Sequence, residues 1–556
     1  WNLVKKDSTI ALSEPVEPLV YWIENTTPIA LRDLIKDGVE SWNLAFESAG
    51  FKNAVQVKVQ PDTALWDAGD LRYNVLRWTS SPNPPFGGYG PSFVNPRTGQ
   101  ILGADIMLEW IYITKRIQQG ELFEHTSLFL DEENPMDEHY CSASALMQSN
   151  NLFAHSAVDA MELSQASKET LIRESLRRLV LHEVGHTLGL NHNFKGSNLL
   201  TYEEILNKDT TYEKGLCSSV MEYPSINFSL EAENQGLYYD TIPGPYDHWA
   251  IRFAYSQVDN EGLNTILDES TKHEHGFAND ADDMRGTGKG MDPDAMIYDL
   301  TSEPVLYAID RIKLVNKIFP TILEKYRKDG ASHQEILNSY YTLTGQYATS
   351  LKIISRQIGG VRVNRAMVGQ DTEDKPFTPV SLRDQKQAMT ALSNYAFAPN
   401  AFETAADLYP YLQQQRRGFN TPYSGEDPKI HERVLSIQKL VLGQLLNRNV
   451  LNRMVNSSLY GNEYSLGAYF KDLKNAMFKQ DKNRDVNSFR MNLQVEFVNR
   501  LIRLSKDTYS SSQIRTQVYS ILNSTRKEMQ NLQSVGASTN AHRAYIKYLI
   551  EKHLDK

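Results

Sequence analysis

The sequence predicts an α/β domain followed by a mostly α-helical C-terminal region. Three observations predict it. Two short apolar or alternating runs flank a helical run near the start, an apolar rhythm of about 3.6 residues leads into a histidine-rich stretch near residue 180, and long helical patterns dominate beyond residue 304.

Taken in order, "PLVYWIEN" (residues 18–25) is a short apolar run ended by turn residues, and "AVQVKV" (54–59) alternates as a half-buried strand does. Between them Ile29, Leu31, Leu34, Ile35, Val39, Trp42, Ala45 and Phe46 recur at helical spacing, and Gly50 stands where a helix stops. Strand, helix, strand opens an α/β sheet. A third strand is expected at "YNVLRW" (73–78). The density of Pro, Gly and Ser in "TSSPNPPFGGYGPS" then forces an irregular loop, and a turn in "NPRTGQ" leads to a fourth strand over 101–108. With Ser167 as N-cap and Glu169 in the first turn, a helix carries Leu171, Ile172, Leu176, Leu179 and Val180 to an end near Gly189. Residues 258–304 are polar and rich in Gly and Asp, as in a linker or wrapping segment, and apolar spacings such as Val305, Ile309, Ile312, Val315, Phe319 and Ile322 mark the helices beyond. The expected organisation is a catalytic domain over 1–256, a linker or wrapping segment over 257–304 and a mostly helical domain with its own core over 305–556.

The chain has 556 residues, 41% of them hydrophobic, and a net charge of −10. That is a folded chain with several cores and no basic field for nucleic acid. No stretch of 18 or more apolar residues is present, so no bilayer span is expected. The chain opens at Trp1, as a processed or truncated product does, and the expected location is secreted, periplasmic or cell-surface. Cys141 and Cys217 are compatible with one disulfide or two thiols, and nothing in the sequence speaks to oligomeric state.

The chemistry sits in "LHEVGHTLGLNHNF" (181–194). At about 100° per residue, His182 and His186 lie one turn apart on one helix face and can grip one ion, while Glu183 projects to the flank. That flank suits a general base acting on water. Gly189 lets the chain leave the helix sharply and return His192 as a third imidazole, leaving one position open. These are the intervals of a catalytic site for a single zinc ion. The required Gly and third His occur by chance about once in 770 on a composition of 31 glycines and 13 histidines, which weighs against a helix whose histidines merely hydrogen-bond in a core. His125, His139, His155 and His248 read as ordinary histidines. The acidic run Asp280, Asp282, Asp283, Asp292 and Asp294 offers oxygens for calcium but lacks EF-hand spacing, so a solvated loop is the favoured reading.

Downstream, "CSSVMEYP" (217–224) resembles the Met-turn of metzincin metalloproteases, and "GPYDHWAIRFAY" (244–255) is similar to the helix that closes their catalytic domains. Together with HEVGHTLGLNH these segments resemble large exported bacterial zinc-dependent metalloproteases of little-characterised function. The resemblance implies an α/β metzincin-like catalytic domain, with Met221 beneath the zinc-binding imidazoles and Tyr223 close to the metal. It also implies a polypeptide substrate held by strand addition along an edge strand, here expected at 101–108 with Gly103 and Ala104. Asn193 differs from what the matrixin, astacin, adamalysin and serralysin groups carry, so their substrate preferences are not borrowed. The implied activity is that of a zinc endopeptidase. Its rivals are a catalytically inactive scaffold of the same fold and a zinc hydrolase of other bonds.

Overall fold

The computed structural model describes residues 1–80, 88–109, 143–283, 286–415, 427–531 and 536–554; Cys141, His125 and His139 lie outside them. Six strands form the main sheet: β1 (Leu19–Ile23), β2 (Val55–Val59), β3 (Asn74–Thr79), β4 (Gly88–Tyr89), β5 (Ser92–Val94) and β6 (Ile101–Glu109). Their order is β2-β1-β3-β6-β4, with β5 also on β6. β1, β2, β3 and β6 run parallel, whereas β4 and β5 run antiparallel to β6.

The expected helix over 29–49 is two helices, Ile29–Glu40 and Asn43–Ser48. They part where Trp42 turns inward and its indole donates to the Leu181 carbonyl at 3.1 Å. Gly38 allows the first of them to lie close on helix Gln165–Thr187, since a Cβ there would stand 3.0 Å from Val180 Cγ1. That helix starts three residues earlier than the sequence suggests. Its N-cap is Ser164, whose hydroxyl accepts from the Ser167 amide at 3.2 Å.

Beyond the sheet, helix Ala143–Ala160 packs on Pro304–Tyr326 and Gln334–Arg356, and Gln346 donates to Asn150 across that contact at 3.1 Å. A single cluster of buried apolar side chains runs from Leu3 through Leu181 and Ile312 to Ile550, so among the described residues the helical half shares its core with the sheet half and does not enclose one of its own. Helices Ile430–Leu445, Leu466–Phe478, Ser488–Lys506, Ser512–Asn531 and Ala537–Leu554 complete it.

Of the acidic run, Asp280 stays half exposed, but the other four carboxylates are drawn into ion pairs and do not form a solvated loop. Asp282 pairs with Arg365, Asp283 with Arg356, Asp292 with Lys195 and Asp294 with Arg362. Each basic partner lies far away in sequence, which is why the run reads as a loop when taken alone. Among the described residues no helix is long and apolar enough to cross a membrane.

Candidate metal centre

Helix Gln165–Thr187 ends with Leu188 as C-cap and Gly189 at φ +95°, a conformation that suits glycine. The Gly189 amide donates to the His186 carbonyl at 3.0 Å and the Leu190 amide to the Gly185 carbonyl at 3.1 Å, the paired bonds of a Schellman motif. Ring donors cover the next carbonyls: Trp1 Nε1 reaches Thr187 at 2.8 Å and the Tyr255 hydroxyl reaches Leu188 at 2.9 Å. The chain thereby reverses in a few residues and returns His192 to the helix face.

One nitrogen from each of His182, His186 and His192 comes within 4.8 Å of the others, and among the described residues this is the one His, Cys, Asp and Glu trio that gathers so closely. The ring centroids are 4.8, 4.8 and 5.5 Å apart. Each Nδ1 is already engaged, with the Val220 carbonyl at 2.8 Å, the Leu190 carbonyl at 3.0 Å and Asp280 Oδ2 at 2.6 Å respectively. The nitrogen that each could turn to a metal ion is therefore Nε2. Burial pushes the His186 pKa down to about 4 and that of His182 well below its ordinary value, so both are neutral at pH 7, the form that ligates metal. These donors fit a zinc ion, for which Zn–N bonds of about 2.0–2.1 Å put tetrahedral donors about 3.4 Å apart.

Below the imidazoles lies the turn carrying Met221, which is fully buried. Its sulfur packs on Gly185, where even a methyl group would collide with it. Buried polar groups set the turn. Arg178 donates to the Val220 carbonyl and, at 2.9 Å, to that of Glu222. The Asp247 carboxylate accepts from Ser219 Oγ at 2.7 Å, the Val220 amide at 2.8 Å and the Gly244 amide at 2.9 Å. Burial raises the Asp247 pKa to about 6. The Asn193 amide donates to the Met221 carbonyl at 3.0 Å, joining the third histidine's loop to the turn. The Tyr223 hydroxyl stands 2.7 Å from His192 Nε2, and because Nδ1–H faces Asp280, the phenol is the donor there.

Glu183 is fully buried on the flank of the helix. Above it run Gly88 and Gly90: a Cβ at Gly88 would lie 2.7 Å from Glu183 Oε1 and 2.9 Å from Leu179 Cδ1, and one at Gly90 would lie 2.5 Å from the Glu183 carbonyl oxygen. Only glycine lets this segment approach the carboxylate so closely. The expected edge strand over 101–108 is corrected by the sheet. Gly103 and Ala104 pair with Phe93 and Ser92, and residues 105–109 pair with β3 on the other side. Among the described residues it is β4 and β5 that end the sheet beside the metal centre. Strands of two and three residues are too short to carry a period-2 signal, so the sequence showed only the longer partner.

No pattern in the sequence marks Gly185, Arg178 or Asp247 as part of this centre, and Asp280 reads there only as a member of an acidic run. Asp247 lies inside the 244–255 segment whose resemblance was noted, and Asp280 inside the acidic run. Gly185 and Arg178 look like ordinary helix positions until their partners are known. His248 bonds to Ser48 Oγ at 2.8 Å, away from the triad, and Cys217 is a buried thiol whose pKa burial raises well above its ordinary value.

A family model described as Met-zincin matches residues 164–485, more than half of the chain and the whole of the histidine motif. No curated protein and no solved structure matches it. With the three imidazoles placed to bind a metal ion and the model spanning them, the chain belongs to the Met-zincin family.

Proposed function

We propose that the chain is a zinc-dependent endopeptidase acting on extended polypeptides. The observation that carries this reading is that the Glu183 carboxylate lies directly under the outermost strand of the sheet, beside the imidazole triad. A peptide added to the outer side of β4 and β5 through its main-chain N–H and C=O groups passes over that carboxylate. His182, His186 and His192 would hold a zinc ion, which when bound would supply Lewis acidity for the scissile carbonyl and for a water molecule. Glu183 takes the proton of the attacking water and hands it to the leaving amine. Its burial keeps bulk solvent away during the transfer. Tyr223 releases His192 Nε2 and turns its O–H to the developing oxyanion, while Met221 floors the triad. Residues 1–256 carry this chemistry, and the helical half shares their core.

The test is an unbiased peptide-library digest, read by mass spectrometry, with the zinc-loaded chain and with Glu183→Gln. Cleavage by the parent and none by a variant that keeps its zinc is the expected result. A zinc-loaded parent that cuts nothing, denatured proteins included, overturns the reading in favour of a binding protein on the same fold.

A further inference from the structure

We infer that Asp280 is a positioning carboxylate of the metal centre, presented to His192 by a segment that the helical half of the chain pins in place. The inference rests on the reading of the triad as zinc ligands. The three imidazoles are held differently. His182 and His186 sit on the helix and lean on main-chain carbonyls, whereas His192 stands in the loop after Gly189 and its Nδ1–H donates to a carboxylate 88 residues downstream, at 2.6 Å. It is the one ligand without a helix to orient it, and it receives the strongest acceptor.

The bland alternative is a surface ion pair, since the Asp280 side chain is 52% exposed, and such pairs contribute about 0–1 kcal/mol. Three features speak against it. The histidine partner is only 15% exposed. The backbone before Asp280 is laced to the ligand loop: Asn193 Nδ2 donates to the Gly276 carbonyl at 2.9 Å, the Ala278 amide donates to Asn193 Oδ1 at 3.3 Å, and the Phe194 amide donates to the Ala278 carbonyl at 2.7 Å. Asn193, the residue that sets this motif apart from the four named metzincin groups, is thus the buried clamp that brings Asp280 to its neighbour His192.

On the far side the helical half takes hold. Asp282 pairs with Arg365, which follows strand β7 (Val361–Val363), and Asp283 pairs at 3.0 Å with Arg356, the last residue of helix Gln334–Arg356. The Arg356 pair is buried, and the same guanidinium donates to the carbonyls of Asp292 and Ala295 at 3.0 and 3.1 Å. Asp280 therefore sits between two anchors, one on the ligand loop and one on the helices. Its carboxylate fixes His192 as the Nδ1–H tautomer, aims Nε2 at the shared point and makes the imidazole a stronger donor.

The experiment uses the full chain and reads zinc affinity by competition with a chromophoric chelator, together with the visible absorption of the cobalt(II)-substituted protein. Parent and His192→Ala serve as controls: a parent that binds no zinc overturns the triad reading and, through that premise, this inference with it. With a zinc-binding parent, Asp280→Ala is expected to weaken zinc about 10–100-fold and to alter the cobalt spectrum at unchanged circular dichroism, and Asp280→Glu to recover part of the loss. An Asp280→Ala protein that binds zinc within twofold of the parent, with the parent's cobalt spectrum, overturns the inference. Arg365→Gln, an exposed change, is expected to weaken zinc severalfold; full affinity there, with a loss in Asp280→Ala, overturns the part assigned to the helical half.

Discussion

Replacing Gly185 by alanine tests whether the turn carrying Met221 is pressed against the histidine helix as tightly as the geometry requires. A methyl at Gly185 would stand well inside 3 Å of the Met221 sulfur, 3.0 Å from Trp42 Cζ2 and 3.4 Å from Met221 Cε. Unstrained contacts of this kind lie at about 3.5–4.0 Å, so the sulfur has to retreat by about 1 Å. Neither neighbour has room to give: both side chains are fully buried, and the Trp42 indole is tied to the Leu181 carbonyl. Overpacking of this kind costs about 1–3 kcal/mol, against about 1 kcal/mol gained from alanine's better helix propensity. With the sulfur this deep inside contact distance the clash wins, and Gly185→Ala is expected to be less stable by up to about 2 kcal/mol, with weakened zinc binding because His182 and His186 flank the disturbed turn. The assay is reversible denaturation in the presence and absence of zinc, run as a cycle with Met221→Ala. Removing the methionine alone costs about 2–5 kcal/mol, but in the double variant the new methyl enters space the sulfur has left, so the two losses sum to more than the double variant shows, by at least about 1 kcal/mol. Additive losses within about 0.5 kcal/mol, or a Gly185→Ala protein as stable as the parent, would refute the contact.

Three further outcomes are expected. Tyr223→Phe keeps its zinc while kcat falls by about 10²–10³, the usual loss of an oxyanion donor; turnover at the parent rate, measured on a peptide substrate found in the library digest, would reduce the tyrosine to packing. Gly88→Val displaces the edge strand from Glu183, so peptide cleavage drops at unchanged zinc content; unchanged kcat/KM would mean that this strand does not border the reaction. Glu174, whose carboxylate accepts from the Tyr238 and Tyr239 amides, has its pKa raised by burial to about 7 from an ordinary 4.5. A raised folded-state pKa means that its contribution is full below about pH 4.5 and is lost as pH rises through about 7, so the parent should lose about 3 kcal/mol relative to Glu174→Gln between pH 4.5 and 8. Parallel stability curves for the two proteins across that range would contradict the assignment.

What the sequence determined by itself is whatever a few consecutive residues can settle. Histidines four apart share a helix face whatever surrounds them, and a glycine after the C-cap permits the left-handed turn that returns His192, so the histidine triad and the family resemblance were legible in one fourteen-residue stretch. Strands β1, β2, β3 and β6 were legible for the same reason, each having enough residues to show a pattern. Tertiary structure alone decided which strand borders the metal centre, because β4 and β5, two and three residues long, are too short to carry a period, and their place comes from pairing with β6. It alone decided that Gly185 must lack a side chain, since the reason is a sulfur from 36 positions downstream in the chain. It alone turned an acidic run into a row of ion pairs and set one of its carboxylates on His192, because each partner arrives from a distant segment and the energy of the pairing exists only once both are packed against the same core.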